Sequence, residues 1–514
     1  MMKLSKFSKR QILTLVVFSI ADFCNAICVS LQAPFYPHEA EKKGATAAEY
    51  GLVFGVFELV VFVISPIYGQ YLNRIGPKVI FNTGILTTGV CAILFGLLDK
   101  VDGHYPFIIL SFIIRIVEAM GNAGFLTASF AIIAMEFPEN VATTFASLET
   151  FFGLGMIVGP TVGGALYQIG GYTTPFAVLG FVLFLAALMT YFVLPDHGDQ
   201  GEGVTNTASL LEVLKIPGVI LASVSIVVTS MSIGFLTATL EPHLRQFGLT
   251  PIVLGLMFVI NGGVYAITAP CWGWLCDNKI SPKIVTLLGC ILLFIAFSLI
   301  GPAPYLSCPE VGSQERLLMV IAGLVVHGLS IGAQLVASFT DALRTSIQNG
   351  FPNNLETYGM ISGLWTSTFA LGAFIGPSVS GVLYDTIGFN NSTVFIVVLS
   401  VIVGGVVSIF LCCSKQAVMY KEIVPETEGI FPGKLDSTHN LHSDHYNSSN
   451  GYNMGSNQSL SIAPGMSGMI TCNSYKNRLG DFHRKESLSI INPQQYSSSY
   501  GSMDPKTSYL ESST

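Results

Sequence analysis

Two ionisable residues lie near the middle of an apolar run, where an unpaired charge is costly. Residues 108–125 read IILSFIIRIVEAMGNAGF and include Arg115 and Glu118. An isolated arginine at the centre of a membrane costs about 2.5–3.5 kcal/mol on insertion scales, so its side chain should face protein or water. The two residues are three apart and therefore share a helix face, on which they are able to pair. One interpretation is that the pair is only a neutralised structural contact.

Further ionisable residues in apolar runs favour a second interpretation. They are Asp22, Glu58, Glu149, Glu241 and His327. Facing one cavity together with Arg115 and Glu118, they would give it net negative character, which suits a cationic substrate. Carboxylates removed from water there can also exchange protons. Each residue alone is equally consistent with a satisfied packing role, but together the seven predict a pathway for substrate and protons.

Composition shows that lipid must cover much of the protein. Of 514 residues, 51% are hydrophobic and only 11% are charged, whereas soluble domains carry about 25% charged residues. The net charge is −7 and the basic residues are scattered singly, so no nucleic-acid partner is expected. The ten cysteines show no metal or disulfide spacing. With no catalytic triad spacing and no phosphate-binding glycine loop either, neither an enzyme nor a bound cofactor or metal is predicted.

The apolar runs predict an all-α polytopic membrane protein. A bilayer core about 30 Å thick requires roughly 20 apolar residues in helical form. Runs of this kind lie near 12–33, 50–72, 79–98, 106–135, 142–167, 173–194, 217–239, 251–275, 284–303, 317–341, 357–384 and 393–413. They predict twelve transmembrane helices, in an N-terminal six-helix bundle (12–194) and a C-terminal six-helix bundle (217–413).

The remaining segments are polar. Residues 1–11 form a short N-terminus and 195–216 a linker, and 414–514 form a tail rich in Ser, Asn, Tyr and Gly that is predicted to be disordered. Lys and Arg concentrate in the loops on the side of the N-terminus, which the positive-inside rule assigns to the cytosol together with both termini. The tail sequence YKEI (420–423) has the form of a tyrosine-based sorting signal, so sorting adaptors are a candidate class of partner.

The two bundles are internal repeats. Residues 147–172 align with 364–389 at a constant offset of 217, and residues 50–69 align with 254–273 at an offset of 204. Two related six-helix units around a central cavity can rock against each other, as secondary transporters do. The duplication therefore predicts a transporter.

A loop motif carries the first specific resemblance. GQYLNRIGPK (69–78) resembles the G-x-x-x-[DN]-R-x-G-x-[KR] signature of the major facilitator superfamily, and a weaker copy begins at residue 273. The matching residues are Gly69, Asn73, Arg74, Gly76 and Lys78, with Gly273 and Asp277 in the copy. The resemblance extends over residues 10–413 and implies the major facilitator fold, with a cytosolic latch that holds one access state. Topology anchoring by the basic residues is the alternative.

Glycines four residues apart recur in the fifth and eleventh predicted helices. They are Gly155, Gly159 and Gly163, with Gly372 and Gly376 in the repeat, and Pro160 and Pro377 each follow a glycine. Small residues at this spacing allow close helix packing, and each proline bends its helix by freeing a carbonyl. The G-P-x-x-G-G pattern also resembles the element associated with proton antiporters of this superfamily.

Four segments resemble the vesicular amine transporters, particularly their polyamine transporter-like branch. They are QAPFYPHEAEKKGA (32–45), NRIGPK (73–78), SLETFFGLG (147–155) and LEPHL (240–244). The resemblance implies a proton-coupled antiporter that moves organic cations into acidic vesicles. Monoamine members carry a lysine where this chain has Phe57 and an aspartate where it has Thr366, and their helix-one aspartate falls at Asn25. A polyamine or a monoamine-like cation remains open as substrate.

The sequence therefore predicts an antiporter in a secretory or synaptic vesicle membrane, driven by a proton gradient without a cofactor. Its expected partners are a small organic cation, protons and the lipid bilayer. An alternative is a plasma-membrane carrier of organic solutes or drugs from the same superfamily. An alternative of another class is a non-transporting membrane scaffold that acts through its tail.

Overall fold

The computed structural model describes residues 7–193, 209–249, 251–301 and 312–413. Within these ranges the chain forms twelve long helices, three short 3₁₀ turns and one four-residue helix, with no β-strand. The long helices are α1 (Lys9–Lys42), α2 (Ala47–Ile75), α3 (Pro77–Gly96), α4 (His104–Glu136), α5 (Val141–Gly170), α6 (Thr173–Val193), α7 (Pro217–Leu244), α8 (Pro251–Asn278), α9 (Pro282–Ile300), α10 (Gln314–Gln348), α11 (Leu355–Ile387) and α12 (Phe389–Cys413).

All twelve helices are long and apolar enough to cross a bilayer. The shortest, α9, has 19 residues, which corresponds to about 28 Å at 1.5 Å per residue. The all-α class and the number of spanning helices that the apolar runs predict are therefore confirmed.

Some predicted segments lie outside the described residues. They are residues 1–6, residues 195–208 of the linker and the tail 414–514. The prediction of a disordered tail, and of a sorting signal within it, stays a prediction. In the described part of the linker, the short helix Leu210–Val213 begins after Ser209, whose hydroxyl accepts a hydrogen bond from the Leu211 amide.

Residues at the helix ends explain where the first helices begin and turn. Ser8 and Gln11 form a capping box at the start of α1, and Thr46 and Glu49 form another at the start of α2. One residue, Gly76, links α2 to α3 with a φ of 97°, a conformation that residues with a side chain rarely adopt. This glycine of the loop motif therefore makes the sharp turn between the two helices.

The two six-helix halves pack with the symmetry that the sequence repeat predicts. Within the halves, α1 lies against α5 and α7 lies against α11, while between the halves α2 lies against α11 and α5 against α8. A Cβ atom added to Gly155 would lie 2.5 Å from the carbonyl oxygen of Phe23 on α1. In the second half, a Cβ on Gly376 would lie 2.7 Å from the carbonyl oxygen of Met231 on α7. The glycine stripes therefore permit equivalent close contacts in both halves.

The other glycines of the antiporter-like motif on α5 also pack against α1. Gly159 and Gly163 also face α1, where added Cβ atoms would meet Ser30 and Leu31. A Cβ added to Gly234 of α7 would lie 2.6 Å from Cδ of Pro377, whereas Pro160 on α5 is exposed. Close packing accounts for the glycines, and a part in proton exchange remains a prediction.

Candidate functional site

An unpartnered acid on α1 is the centre of the candidate site. Asp22 is 1% exposed, and neither of its carboxyl oxygens has a hydrogen-bond partner among the described residues. Glu149 on α5 is also buried and acts on Asp22 electrostatically. Burying a charge without a partner is costly, so Asp22 is well suited to hold a proton or to bind a cation.

Glu149 connects this acid to the other half of the protein. The hydroxyl of Tyr265 on α8 donates a hydrogen bond to the Glu149 carboxyl group. One residue further along α5, the Thr150 hydroxyl donates to the carbonyl oxygen of Ala266, with an oxygen–oxygen distance of 2.8 Å. Because α5 and α8 belong to different halves, a change at Glu149 acts directly on the contact between them.

Polar side chains continue the site by one helical turn. Asn25, three residues after Asp22 on α1, donates through Nδ2 to Oδ1 of Asn122 on α4 at 2.8 Å. Its own Oδ1 is buried and has no partner among the described residues. A free acceptor one helical turn from an unpartnered carboxyl group can receive hydrogen bonds from an ammonium group, which is only a donor.

Arg115 and Glu118 form a separate, neutralised group. Arg115 Nη1 donates to Glu118 Oε2 at 2.9 Å, and Gln32 Nε2 donates to Glu118 Oε1 at 2.7 Å. The guanidinium carbon lies 4.2 Å from the ring centroid of Phe57. Both charged residues are buried, and the cation has both an anionic partner and an aromatic face. These contacts favour the structural interpretation of this pair.

The two groups lie at different depths along α1. Asp22 and Gln32 are ten residues apart, which is about 15 Å along a helix. Glu58 on α2 is half-buried, makes no hydrogen bond within the described part of the chain and is influenced electrostatically by Arg115. The structure therefore places Glu58 with the Arg115 group, not with Asp22 and Glu149.

His327 occupies a polar contact within the second half. It lies on α10, fully buried, with Nε2 3.0 Å from the Ser232 hydroxyl and Nδ1 3.1 Å from Asn261 Oδ1. Both ring nitrogens thus have neutral partners. The structure does not bring His327 within hydrogen-bond distance of any described carboxyl group.

The structure does not support the prediction that Glu241 belongs to the pathway for substrate and protons. It lies in the last turn of α7, where Arg245 donates two hydrogen bonds to it, at 2.9 Å and 2.8 Å. Its side chain is 37% exposed. Because α7 continues beyond the apolar run, Glu241 forms an accessible ion pair at the helix end instead of a buried charge.

The second copy of the loop motif makes a contact between the two halves. Asp277, at the end of α8, accepts hydrogen bonds from the Thr143 amide at 2.8 Å and from the Thr143 hydroxyl at 2.6 Å. Arg344 of α10 donates to the same carboxylate at 3.1 Å. Asp277 thereby caps the N-terminus of α5, where a carboxylate is favourable, and holds the two halves together.

The first copy of the motif behaves differently. Asn73 and Arg74 are exposed, and Arg74 lies 5.7 Å from the ring of Tyr71 in its own helix. Lys78 lies over the ring of Tyr191 on α6, within the same half. Arg74 forms no ion pair with any residue that the structure describes, so in this conformation the first copy of the motif makes no charged contact across the halves through Arg74.

Close backbone contacts seal the end of the bundle that carries Arg74, the Arg74 end. A Cβ added to Gly69 would lie 2.5 Å from the carbonyl oxygen of Gly359, and one added to Gly273 would lie 2.5 Å from that of Ala142. Toward the opposite end, added Cβ atoms at Gly55 and Gly262 would meet only side chains of the other half, at 3.3 Å and 3.1 Å. The halves are therefore packed most tightly at the Arg74 end.

Four aromatic rings fill the interface just inside this seal. Phe145 of α5 stacks on Phe339 of α10 with ring centroids 4.2 Å apart, and Trp365 of α11 meets Phe130 of α4 edge to face at 5.1 Å. Because α4 and α5 belong to the first half and α10 and α11 to the second, this cluster closes the space between them. The contacts define a state closed at the Arg74 end.

We expect Asp277→Ala to loosen the Arg74 end. The substitution removes the acceptor for Thr143 and Arg344, and charge-assisted hydrogen bonds contribute about 1.5–3 kcal/mol each. Cys276 beside it is 2% exposed, so its reaction with a maleimide reports opening. In a background that retains Cys276 as the sole cysteine, labelling should accelerate by about tenfold or more. The neighbouring Asn278→Ala is the matched control, and equal labelling rates in the two variants would contradict the latch.

Sequence reasoning missed a second buried ion pair. Lys283 of α9 donates to Asp341 of α10 at 2.5 Å and to the Thr345 hydroxyl at 2.9 Å, and all three side chains are buried. The signal was present, since Asp341 closes the apolar run 317–341 and Thr345 follows one helical turn later. Lys283 is the second residue of α9, and this pair holds its side chain against α10 within the C-terminal half.

The fold and the site together define a class of protein. Two six-helix repeats enclose buried, unpartnered polar groups, and one end of the interface between them is sealed, as in secondary transporters that work by alternating access. The Major Facilitator Superfamily model matches residues 18–357 and 222–434. The chain belongs to this superfamily.

Individual proteins agree with this assignment. Human "MFS-type transporter SLC18B1" is 39% identical over 387 residues, which cover 74% of this chain and 82% of that protein. The rat "Chromaffin granule amine transporter" is 26% identical over 400 residues, covering 74% and 69% of the two chains. The crystal structure of the human organic anion transporter MFSD10 matches with a TM-score of 0.60 at 15% identity, over 77% of this chain and 99% of that one.

These findings confirm the major facilitator fold and the resemblance to vesicular amine transporters. The chain is an integral, multi-pass membrane protein whose relatives are named as transporters. A small-molecule substrate and a membrane setting follow from that membership.

Proposed function

We propose that this protein is a proton-coupled antiporter that moves organic cations, of polyamine or monoamine-like chemistry, into acidic vesicles by alternating access. The observation that carries the proposal is Asp22, a buried acid with no hydrogen-bond partner among the described residues, close to the buried acid Glu149. The Arg115–Glu118 pair is neutral as a unit, so the charge left at the site is that of the two acids.

The same two acids account for exchange. When they are ionised, their negative charges repel each other and attract a cation; when one holds a proton, that attraction is weakened. A proton taken up while the site is open to the lumen would leave toward the cytosol, and the vacated site would then capture the amine. Proton and amine would compete for one anionic site, which couples their opposite movements.

The Glu149–Tyr265 bond connects occupancy of the site to the conformation of the protein. It joins α5 to α8 across the halves. When a substrate ammonium group binds Glu149, it competes with the Tyr265 hydroxyl for the carboxyl oxygens and weakens this hydrogen bond. A ligand shifts a conformational equilibrium only through its different affinity for the two states. Competition for Glu149 supplies such a difference.

For the location we propose a vesicle membrane with both termini in the cytosol. The distribution of basic residues supports a cytosolic position for the Arg74 end. One relative is named after the chromaffin granule and another after synaptic vesicles. In this orientation the state described here, sealed at the Arg74 end, is the lumen-facing one.

The deciding experiment is transport by the purified full-length chain in liposomes. Labelled spermine, spermidine and a monoamine are offered to acid-loaded liposomes, with and without an ionophore that collapses the proton gradient. We expect gradient-dependent uptake of at least one amine. Uptake that persists without the gradient would favour the plasma-membrane carrier, and no uptake of any amine or other organic solute would favour the scaffold.

We expect Tyr265→Phe to slow exchange while the protein still folds. The change removes the hydroxyl that donates to Glu149 and retains the ring. A hydrogen bond to a charged group contributes about 1.5–3 kcal/mol, so the balance between states should shift by about tenfold or more. Initial rates of gradient-driven amine uptake measure the effect. Tyr105→Phe, at a ring that is 77% exposed, is the control, and equal rates in both variants would contradict the role given to Tyr265.

A further inference from the structure

A second polar site lies in the C-terminal half, at the end opposite Arg74. It is an open cavity of about 340 Å³ at the ends of α7 and α11 and the starts of α10 and α12. Its polar lining comes from His243, Gln246, Arg316, Asn390 and Asn391. None of these residues belongs to the site around Asp22.

Arg316 is the charged group of this cavity. The residue is 5% exposed, and its Nη2 donates to Asn390 Oδ1 at 3.3 Å. Its Nε is buried without a hydrogen-bond partner, and no described carboxylate forms an ion pair with the guanidinium group. Because an unpaired buried charge is unfavourable, the guanidinium group has unused capacity to bind an anion.

The start of α12 adds further donors on the same wall. α12 begins at Phe389, directly after Gly388 with its φ of 75°, and the first amide bonded within it is that of Ser392, to the Gly388 carbonyl at 3.1 Å. The first amides of a helix have no intrahelical acceptor and carry the positive end of its dipole. Such a helix start together with an arginine is a common arrangement for binding anions.

Neighbouring groups leave this positive character in place. The His243 ring stacks on Phe389 with centroids 3.7 Å apart, and Gln246 Nε2 donates to the His243 carbonyl oxygen at 2.7 Å. Glu241, one turn earlier on α7, is already held by both donors of Arg245. The nearest acid on α7 is therefore engaged by another cation.

We infer that this cavity binds a phosphate group. A planar guanidinium group matches the oxygens of phosphate better than it matches a spherical ion, and the volume accommodates such a group with several waters. The group would come from free phosphate in the surrounding solution or from the head group of an anionic phospholipid. The inference does not rest on the proposed transport, because Arg316 lies outside the Asp22 site.

The test is thermal unfolding of the full-length protein. Inorganic phosphate replaces chloride at constant ionic strength, and a ligand that binds only the folded state raises the unfolding midpoint in a saturable way. We expect this rise in the native chain and a loss of at least about tenfold in phosphate affinity in Arg316→Gln. Lys100→Gln removes an exposed cation from the same end of the bundle, in the first half, and should leave the affinity unchanged.

A second arm distinguishes the two sources of phosphate. The delipidated protein is reconstituted with phosphatidylglycerol or with phosphatidylcholine. Stabilisation by phosphatidylglycerol that requires Arg316, without any effect of inorganic phosphate, assigns the site to a lipid head group.

Three outcomes would overturn the inference. They are equal stabilisation by chloride, an equal response of Arg316→Gln and Lys100→Gln to whichever phosphate source stabilises the native chain, and no Arg316-dependent effect in either arm. If Arg316→Gln does not fold, Arg316→Lys replaces it, because it keeps the charge and removes the planar fork. It should bind phosphate more weakly than the native chain, and unchanged affinity would count against the site.

Discussion

Asp22→Asn should abolish proton-driven amine exchange and leave the protein at least as stable as the native chain. The amide has nearly the shape of the carboxyl group but neither carries a negative charge nor exchanges a proton. Asp22 has no partner to lose among the described residues, and an unpaired buried charge destabilises a fold. Uptake should fall to the level of protein-free liposomes, while the unfolding midpoint stays equal or rises. Activity and stability therefore change in opposite directions.

Glu241→Gln is the matched control for this prediction. It also removes one acid from a spanning helix, but from the accessible pair with Arg245, whose side chain is 72% exposed. Its uptake should match that of the native chain. If Asp22→Asn still exchanges amine for protons at the native rate, Asp22 is not the proton-binding group and the proposed antiport loses its main support. If it unfolds, Asp22 has a structural role instead.

Breaking the Arg115–Glu118 pair should have the largest effect on stability. Glu118→Gln removes the anion that neutralises the buried guanidinium group and accepts from Gln32. Removing one partner of a buried ion pair typically costs about 3–5 kcal/mol, whereas replacing both with apolar residues is often close to neutral. We therefore expect a marked fall in the unfolding midpoint for Glu118→Gln and recovery of most of it in Arg115→Met with Glu118→Met.

The exposed pair of Arg245 and Glu241 provides the comparison. Both pairs join an arginine and a glutamate that are three or four residues apart in the chain, but exposed pairs typically contribute about 0–1 kcal/mol. Glu241→Gln should shift the midpoint little. Transport by the folded double variant then decides the role of the buried pair, since gradient-driven exchange should persist if the pair is structural. Loss of exchange in a stable double variant would place the pair in the pathway.

Much of the fold follows from local sequence because the bilayer restricts what a spanning segment can be. A segment that crosses hydrocarbon must satisfy its backbone hydrogen bonds internally, so a long apolar run becomes a helix. The glycines at 155 and 376 are predictable for a similar reason, since small residues mark close helix contacts. In the structure both face the backbone of a neighbouring helix at the distances such contacts require.

The sequence identified the charged residues of the candidate site but not the side chains that contact them. A charge inside an apolar run indicates a buried polar group, and this identified Asp22, Glu149, Arg115 and Glu118. An apolar run does not show which other helix provides the hydrogen-bond partner of the charged residue within it. Tyr265, 116 residues away from Glu149, is one of many aromatic residues in the sequence, and no spacing rule connects the two.

The errors have related causes. Glu241 was assigned to the pathway because it follows an apolar run, although helices often extend beyond the hydrocarbon core and end in solvent. Arg74 fits its motif well, yet in this conformation Asp277 of the weaker copy joins the halves. The Lys283–Asp341 pair was missed because its partners are 58 residues apart, and no spacing rule connects them.

The sequence alone determined that this chain crosses the membrane as twelve helices in two related halves, and which residue types are buried among them. Helix formation and burial in lipid depend on residues close together in the chain, so composition and periodicity reveal them. The tertiary structure decided which neutral side chains contact the buried charges, because the Gln32–Glu118 and Tyr265–Glu149 contacts join residues 86 and 116 positions apart. It also decided that Asp22 has no partner among the described residues. It also decided that the halves close at the Arg74 end, since that closure depends on how glycines, aromatic rings and Asp277 meet across the interface.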